Sequence, residues 1–469
     1  MSSTIFELQA ALASGATTSL TLTQQALDRA EDPAGQGKTV FTRIYHDQAL
    51  AAARASDALR QAGLSRSPLE GLPISVKDLF DVAGEPTLAG STVLRDAAPA
   101  RRHAVVVQRL LNAGAVVTAK TNMVEFAFSG VGLNPHYGTP ASPWDRETGR
   151  IPGGSSSGAG VAVADGLSVA SIGSDTGGSV RIPAAFCGVA GFKPTARRVP
   201  TQGALPLSTS LDSLGGLAPS VACCAVIDAV LSDSLDRDRF NNAGEAGPED
   251  ASFGILAPLA ANRLNLAVPA NGVLDGADDT VRATFDRALQ CLREAGAAVS
   301  TLAIPEFDRL ADLNARGGVT GAEAWAWHQS LVTTREAEYD PRVASRILRC
   351  RTLTAADYIE LIAARQAWIA AVERRLRGYD ALLMPTVPIV APAIQPLLDS
   401  DEAYFAANRL ILRNPTYINF LDGCALSIPC HSRGQAPVGL MIAGPAMSDR
   451  HILNVGSAIE QALNAVRHA

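Results

Sequence analysis

The chain has 469 residues, of which 47% are hydrophobic and 18% charged, and it carries 40 glycines; this is enough for one large domain or two ordinary ones, and the composition is neither disordered nor coiled-coil. A formal net charge of −6 offers no electrostatic case for a nucleic-acid surface, which needs clustered cations to neutralise phosphates. No apolar run reaches the roughly 18 residues of a membrane span, and residues 1–15 do not read as a secretory signal, so a cytoplasmic protein is expected.

In chain order, Thr4 with Glu7 forms a capping-box pattern ahead of the apolar stripe Ile5, Leu8 and Leu12, and Thr21 with Gln24 repeats it before Leu27. An Ala-rich helix is expected over residues 49–62, stopped by Gly63 in a left-handed cap. From Leu72 the texture alternates between strand and helix: a strand over residues 73–76, a helix over 105–112 closed by Gly114, and a strand over 115–119. The same step recurs as a helix over 281–294, Gly296 and a strand over 297–302. This predicts an α/β fold in which a mixed central β-sheet lies between layers of α-helices. Residues 1–70 are expected to form a helical segment packing on a catalytic domain of residues 71–469, all within one compact unit. Residues 236–251 are polar and read as a surface loop or seam, residues 306–375 as mainly helical, and 380–396 as a Pro-rich connection that begins with a buried strand. The seven cysteines are odd in number and never spaced CxxC, which suggests packed free thiols rather than disulfides or a zinc site.

The chemistry concentrates in Gly153-Gly154-Ser155-Ser156-Ser157-Gly158 and Ser174-Asp175-Thr176-Gly177-Gly178-Ser179-Val180-Arg181. Two serine-bearing, glycine-rich turns thus lie 24 residues apart (179 − 155). Such turns can aim several backbone N–H groups at one point, as an oxyanion requires, and Ser179 is a candidate nucleophile. No histidine lies in either turn, so the base must be another group. Lysine can serve only when neutral, which means lowering its pKa from roughly 10.4 toward about 7 to 8 at a cost of roughly 4 kcal/mol. Lys77 closes the apolar strand Pro73-Ile74-Ser75-Val76, where desolvation can be enforced. A phosphate-loop reading fails because no Gly-Lys-Ser/Thr closes the turn.

Three blocks carry a resemblance to the amidase signature family: Gly71-Leu72-Pro73-Ile74-Ser75-Val76-Lys77-Asp78, Lys120-Thr121-Asn122-Met123-Val124-Glu125-Phe126-Ala127, and the run from Arg150 through Pro194. Asp380 to Pro392 and Pro437-Val438-Gly439-Leu440 extend it over nearly the whole chain. The resemblance implies Lys77 as general base, Ser155 as the bridging serine after a cis bond from Gly154, and Ser179 as nucleophile. Ser156 is the alternative for the bridge, since Ser157 stands where many relatives have glycine. Amides of Thr176, Gly177, Gly178 and Ser179 would form the oxyanion hole, with Asp175 and Arg181 bracing the turn. No metal or organic cofactor is implied.

Met123 and Phe126 are candidate pocket or core residues, His136 and Asp422 are candidates for the pocket wall with a structural role as the alternative for the histidine, and specificity is expected chiefly from residues 316–419 and the loop after Ser129. The expected activity is hydrolysis of a linear C–N amide of a small molecule through an acyl-enzyme, releasing ammonia or an amine, by a free-standing enzyme or a homodimer. Two alternatives keep the chemistry: the glutaminase subunit of a tRNA-dependent amidotransferase, which would need partner subunits, and a hydrolase of ureido acids such as allophanate or carboxybiuret. A catalytically silent scaffold would have lost Lys77, Ser155 or Ser179, and all three are present.

Overall fold

The fold, given by a computed structural model, describes residues 3–234, 256–257 and 259–467; the polar stretch 236–251 lies outside the described residues. Helix α1 (Ile5–Ala13) opens with the expected capping box, in which Thr4 and Glu7 each accept from the other's backbone N–H. Helix α2 (Ser19–Glu31) starts earlier than the Thr21–Gln24 spacing suggested: Thr18 takes the extended cap conformation and accepts from the Thr21 N–H, while Gln24 bonds Asp28 one turn on. Either threonine offers a capping hydroxyl, worth about 1 kcal/mol, and the one at the chain bend wins. A short helix α3 (Gly37–Val40) leads into β1 (Phe41–Ile44) and α4 (His46–Gln61), which ends before Gly63 at φ +77°.

Ten further strands follow: β2 (Pro73–Lys77), β3 (Val116–Thr121), β4 (Ala170–Asp175), β5 (Ala190–Lys193), β6 (Ser213–Ala218), β7 (Asn265–Pro269), β8 (Ala298–Leu302), β9 (Ala381–Pro385), β10 (Cys424–Pro429) and β11 (Gly439–Gly444). Among the described residues they form one sheet of eleven strands in the order β1-β3-β2-β4-β6-β5-β10-β11-β9-β7-β8. It is mixed, as expected: β2 runs parallel to β3 and β4, β7 parallel to β8 and β9, and the centre is antiparallel. The sequence reading had no strand at β1, which pairs antiparallel with β3 and makes one edge.

The remaining helices are α5 (Val105–Asn112), α6 (Ser157–Ala164), α7 (Arg181–Cys187), α8 (Val221–Leu231), α9 (Asp279–Glu294), α10 (Glu306–Leu313), α11 (Gly318–Arg335), α12 (Pro341–Leu348), α13 (Ala355–Leu376), α14 (Ile394–Asp399), α15 (Asp401–Phe420) and α16 (Asp449–Arg467). Successive strand residues point to opposite faces, and both faces are buried here. Leu383, Leu426, Leu440 and Ile442 join a core with Ile227 of α8, Phe285 of α9 and Ile459 of α16. Leu382, Met384, Met441 and Ala443 join another with Phe307 of α10, Trp368 of α13 and Ile418 of α15. The helix layers therefore cover the sheet on both sides, which is why these strands read as continuous apolar runs. Among the described residues no two of the seven cysteines pair in a disulfide, and all but Cys430 are buried. Among the described residues no helix is long and apolar enough to cross a membrane.

Candidate active site

Strands β2 and β4 are parallel neighbours, so their carboxyl ends meet at one edge of the sheet. The first delivers Lys77 there; the second runs through Ser174 and Asp175 into the turn 176–180 and α7. The other serine turn leads into α6, which packs across β4, β2 and β3 and against α3. Gly158 permits that approach, because a Cβ there would fall 2.3 Å from the Val40 carbonyl oxygen. Gly178 sits at φ +121°, and its missing Cβ would fall 2.6 Å from both Ile182 and Pro415.

The Lys77 Nζ donates to Ser155 Oγ at 2.7 Å and to Ser174 Oγ at 2.9 Å. Lys77 and Ser155 are wholly buried and Ser179 nearly so. The Gly154–Ser155 bond is cis. Ser156, the alternative for the bridge, turns its hydroxyl to the Ser174 carbonyl at 3.4 Å and its N–H to the Ser179 carbonyl, so Ser155 is the hydroxyl that meets the lysine. Burial pulls the Lys77 ammonium down to about 7, against the opposing pull of Asp212 and Asp175. A lysine so placed exchanges a proton near neutrality, and its hydroxyl partner can carry that proton onward.

Asp175 braces the turn that carries Ser179. One carboxylate oxygen accepts from the Gly178 N–H, from Arg181 Nη2 and from Asn419 Nδ2, each at 2.9 Å. The other accepts from the Val180 N–H and from Arg181 Nε at 3.1 and 3.0 Å. Burial alone would raise this carboxyl, but the Arg181 charge and hydrogen bonds, with Lys193 and Asn419, hold it well below the usual range. Arg181 also donates to the Pro415 carbonyl and to Asn419 Oδ1, which ties the turn to α15. The Gly178 N–H, expected among the oxyanion donors, is thus directed at Asp175. Thr176 Oγ1 donates to Asp212, whose carboxyl is raised to about 6 by burial. The contact of Lys77 with Ser174, a residue that entered the sequence reading only as the first of its turn, was missed there, as were Asp212 and Asn419, which carry no motif of their own and act through register and distant packing.

A cavity of about 180 Å³ opens on Thr176, Gly177 and Ser179 and is walled by Ala127, Phe128 and Ser129, by Val319 and Thr320 of α11, by Arg346 of α12 with the adjoining Arg349 and Cys350, and by Thr416 and Asn419 of α15. Much of this wall falls in residues 316–419, a region expected to set specificity, whereas the loop after Ser129, also expected to do so, contributes nothing to it and the chain reaches the cavity at Ala127, Phe128 and Ser129 instead. The Arg346 guanidinium lies 4.3 Å over the Phe128 ring and donates to the Phe128 carbonyl. It makes no ion pair among the described residues, and its burial lowers its pKa. Glu125 anchors the start of α12, accepting from the Asp340 N–H at 2.7 Å.

None of the four expected pocket residues lines this cavity. Positive φ at Phe126 (+49°) and Ala127 (+59°) swings Phe126 into a cluster with Trp327, His328 and Tyr339 and brings the next residues to the wall instead. Met123 is wholly buried in the core. His136 pairs with the buried Glu125 at 2.9 Å, and Asp422 pairs with Arg197. Among the described residues no group of His, Cys, Asp and Glu is arranged to hold a metal ion.

The family model described as Amidase matches residues 21–453. The 2-amino-5-chloromuconic acid deaminase of Comamonas testosteroni is 35% identical over 416 residues, covering 88% of this chain and 86% of that protein. A glutamyl-tRNA(Gln) amidotransferase subunit of Chloroflexus aurantiacus is 33% identical over 482 residues, covering 98% of this chain and 96% of that protein. A crystal structure of an amidase superposes with a TM-score of 0.84 at 34% identity, covering 98% of this chain and 99% of that one.

Proposed function

The chain belongs to the amidase family, and on that premise we propose that it hydrolyses a linear C–N amide of a small molecule, with Ser179 as nucleophile, Ser155 as proton bridge and Lys77 as general base. The observation that carries this reading is the 2.7 Å contact of Lys77 Nζ with Ser155 Oγ at a lysine lowered to about 7. The Ser179 oxygen attacks the amide carbon while its proton passes to Ser155, whose own proton goes to Lys77. The carbonyl oxygen becomes an oxyanion facing the amides of Thr176, Gly177 and Ser179, with the Gly178 N–H holding the turn through Asp175. On collapse the C–N bond breaks, and the proton returns from Lys77 through Ser155 to the leaving nitrogen. Ammonia or an amine departs, and water then releases the acid by the same route.

Arg346 supports a substrate with a carboxylate on the side away from the scissile amide, because a half-buried cation on the cavity wall without an acidic partner is satisfied by an anionic ligand. An acid in the name of the deaminase relative accords with this. A second reading, the glutaminase component of a tRNA-dependent amidotransferase, is favoured by the 33% identity across 98% of the chain. It differs in needing partner subunits for coupled activity.

The test is ammonia release from a panel of amides, including glutamine, aryl and aliphatic amides, amides of dicarboxylic acids and ureido acids, by the native protein and by Ser179→Ala. Turnover that the substitution abolishes supports the reading. Undiminished turnover in the variant overturns the role of Ser179, and partner-dependent turnover of glutamine selects the second reading.

A further inference from the structure

We propose that Asp212 is a positioning residue for the base, holding Lys77 at a useful basicity from behind the site while it fixes the side chain of Thr176 in the nucleophile turn. This rests on the reading of Lys77 as general base. The placement follows from sheet register: β6 pairs antiparallel with β4 so that Ser213 faces Asp175, which sets Asp212 beside Thr176. One Asp212 oxygen accepts from Thr176 Oγ1, and the other accepts from the N–H groups of Leu207 and Ser208 at 2.9 and 3.1 Å. Ser174, the second hydroxyl that Lys77 contacts, lines a cavity of about 40 Å³ together with Asp212, Thr201 and Thr209. That space admits at least one water, which needs about 10 to 15 Å³. It is distinct from the 180 Å³ cavity at Ser179, which neither Lys77 nor Asp212 lines.

The charges around Lys77 single Asp212 out. Asp175 is neutralised by Arg181 at 2.9 Å, with the Lys193 charge also acting on it. Asp78, next to Lys77 in the chain, is paired with Lys120 of β3 at 2.9 Å. Glu323 of α11 faces Asp212 only across Ser208 and Ser210, whose groups it accepts. Asp212 makes no ion pair among the described residues, so its charge acts on Lys77 uncompensated. It is the largest influence opposing the burial of the lysine, and Lys77 in turn draws the Asp212 carboxyl downward. Without that carboxylate, burial would carry Lys77 below neutrality, where a base is mostly free of its proton but too weak to take one. The acid limb of the pH profile then belongs to the pair rather than to either group.

The experiment is the pH dependence of kcat/KM for ammonia release by the native protein, Asp212→Asn and Thr176→Val, on whichever amide the panel identifies. Asparagine keeps the shape and removes the charge, so the acid limb moves to lower pH, by less than about one unit because Asp212 itself takes up a proton near pH 6. The shift is read between about pH 6 and 7, because nearer pH 5 Asp212 has itself taken up a proton and its charge no longer acts on Lys77. Thr176→Val removes the hydrogen bond that helps keep Asp212 ionised, and the limb moves the same way by less. A role in packing alone would lower kcat and leave the limb in place; an unmoved limb, or one moved to higher pH, overturns the inference. Should Asp212→Asn fail to fold by circular dichroism, the limb of Thr176→Val decides. Turnover that survives Ser179→Ala or Lys77→Ala sinks the reading of the site itself, whichever way the Asp212 variant behaves.

Discussion

Replacing Lys77 by methionine keeps the length of the side chain and removes the amine, and the fold should gain stability at neutral pH as turnover is lost. The ammonium has an ordinary pKa of 10.5 and one of about 7 in the folded protein. Between those values the unfolded chain holds a proton that the folded one does not, so the stability of the native protein rises with pH across that window and is flat below it. The penalty of keeping this amine buried is about 4 kcal/mol at pH 7 and about 1.5 kcal/mol at pH 9.5. Methionine also deprives Ser155 and Ser174 of the donor each now receives, which offsets the gain by about 1 kcal/mol apiece. The variant should therefore be more stable by about 2 kcal/mol at pH 7 and no more stable than the native protein at pH 9.5. Denaturant midpoints of both proteins at the two pH values give the answer, since other titrating groups cancel in the difference. A difference that stays the same from pH 7 to 9.5 would refute the claim that burial discharges the lysine.

Arg181→Met leaves the Asp175 carboxylate without its countercharge in a wholly buried position, so the denaturation midpoint should fall by the equivalent of about 3 to 5 kcal/mol; a loss under about 1 kcal/mol would show that the pair does not brace the turn. Arg346→Gln should raise KM about 10- to 100-fold for an amide that carries a carboxylate, by loss of a charged hydrogen bond of about 1.5 to 3 kcal/mol, and leave a neutral amide of similar size unchanged. Steady-state kinetics on the matched pair of substrates separates this from general damage to the cavity, which would affect both alike.

The layers of this fold were legible because periodicity and punctuation agree along most of the chain. The helix–glycine–strand step around Gly114 recurs around Gly296, both at positive φ, with the helices Val105–Asn112 and Asp279–Glu294 ending just before them. A histidine-free serine turn demands a base that burial can discharge, which pointed to Lys77, but its meeting with Ser155 was legible only through the resemblance to the amidase signature family. The cavity wall was not. Phe126 looked like a pocket residue from its neighbours in sequence, but the sign of φ at one residue decides which side chain faces the cavity, and composition does not reveal it. Arg346 and Asn419 reach the site from α12 and α15, where they read as ordinary helix positions. Asp212 sits in a loop whose meaning depends on the β4–β6 register. The strand β1 escaped notice because four residues are too few to show an alternation.

The order of the sheet also bears on how the chain comes off the ribosome. Strand β5 ends at Lys193 and one of its two partners, β10, begins only at Cys424, so 231 residues (424 − 193) must be made before that edge can be closed. At about 5 to 20 residues per second, translation leaves β5 with an open flank for roughly 10 to 50 seconds. Both serine turns and Lys77 have already emerged by then, yet Asn419 and the Pro415 carbonyl that steady Arg181 have not. An unfinished chain thus holds Lys77, Ser155 and Ser179, the groups proposed to react, without the last supports of their geometry. During synthesis the half-built sheet is both an enzyme not yet assembled and a strand edge in need of shelter.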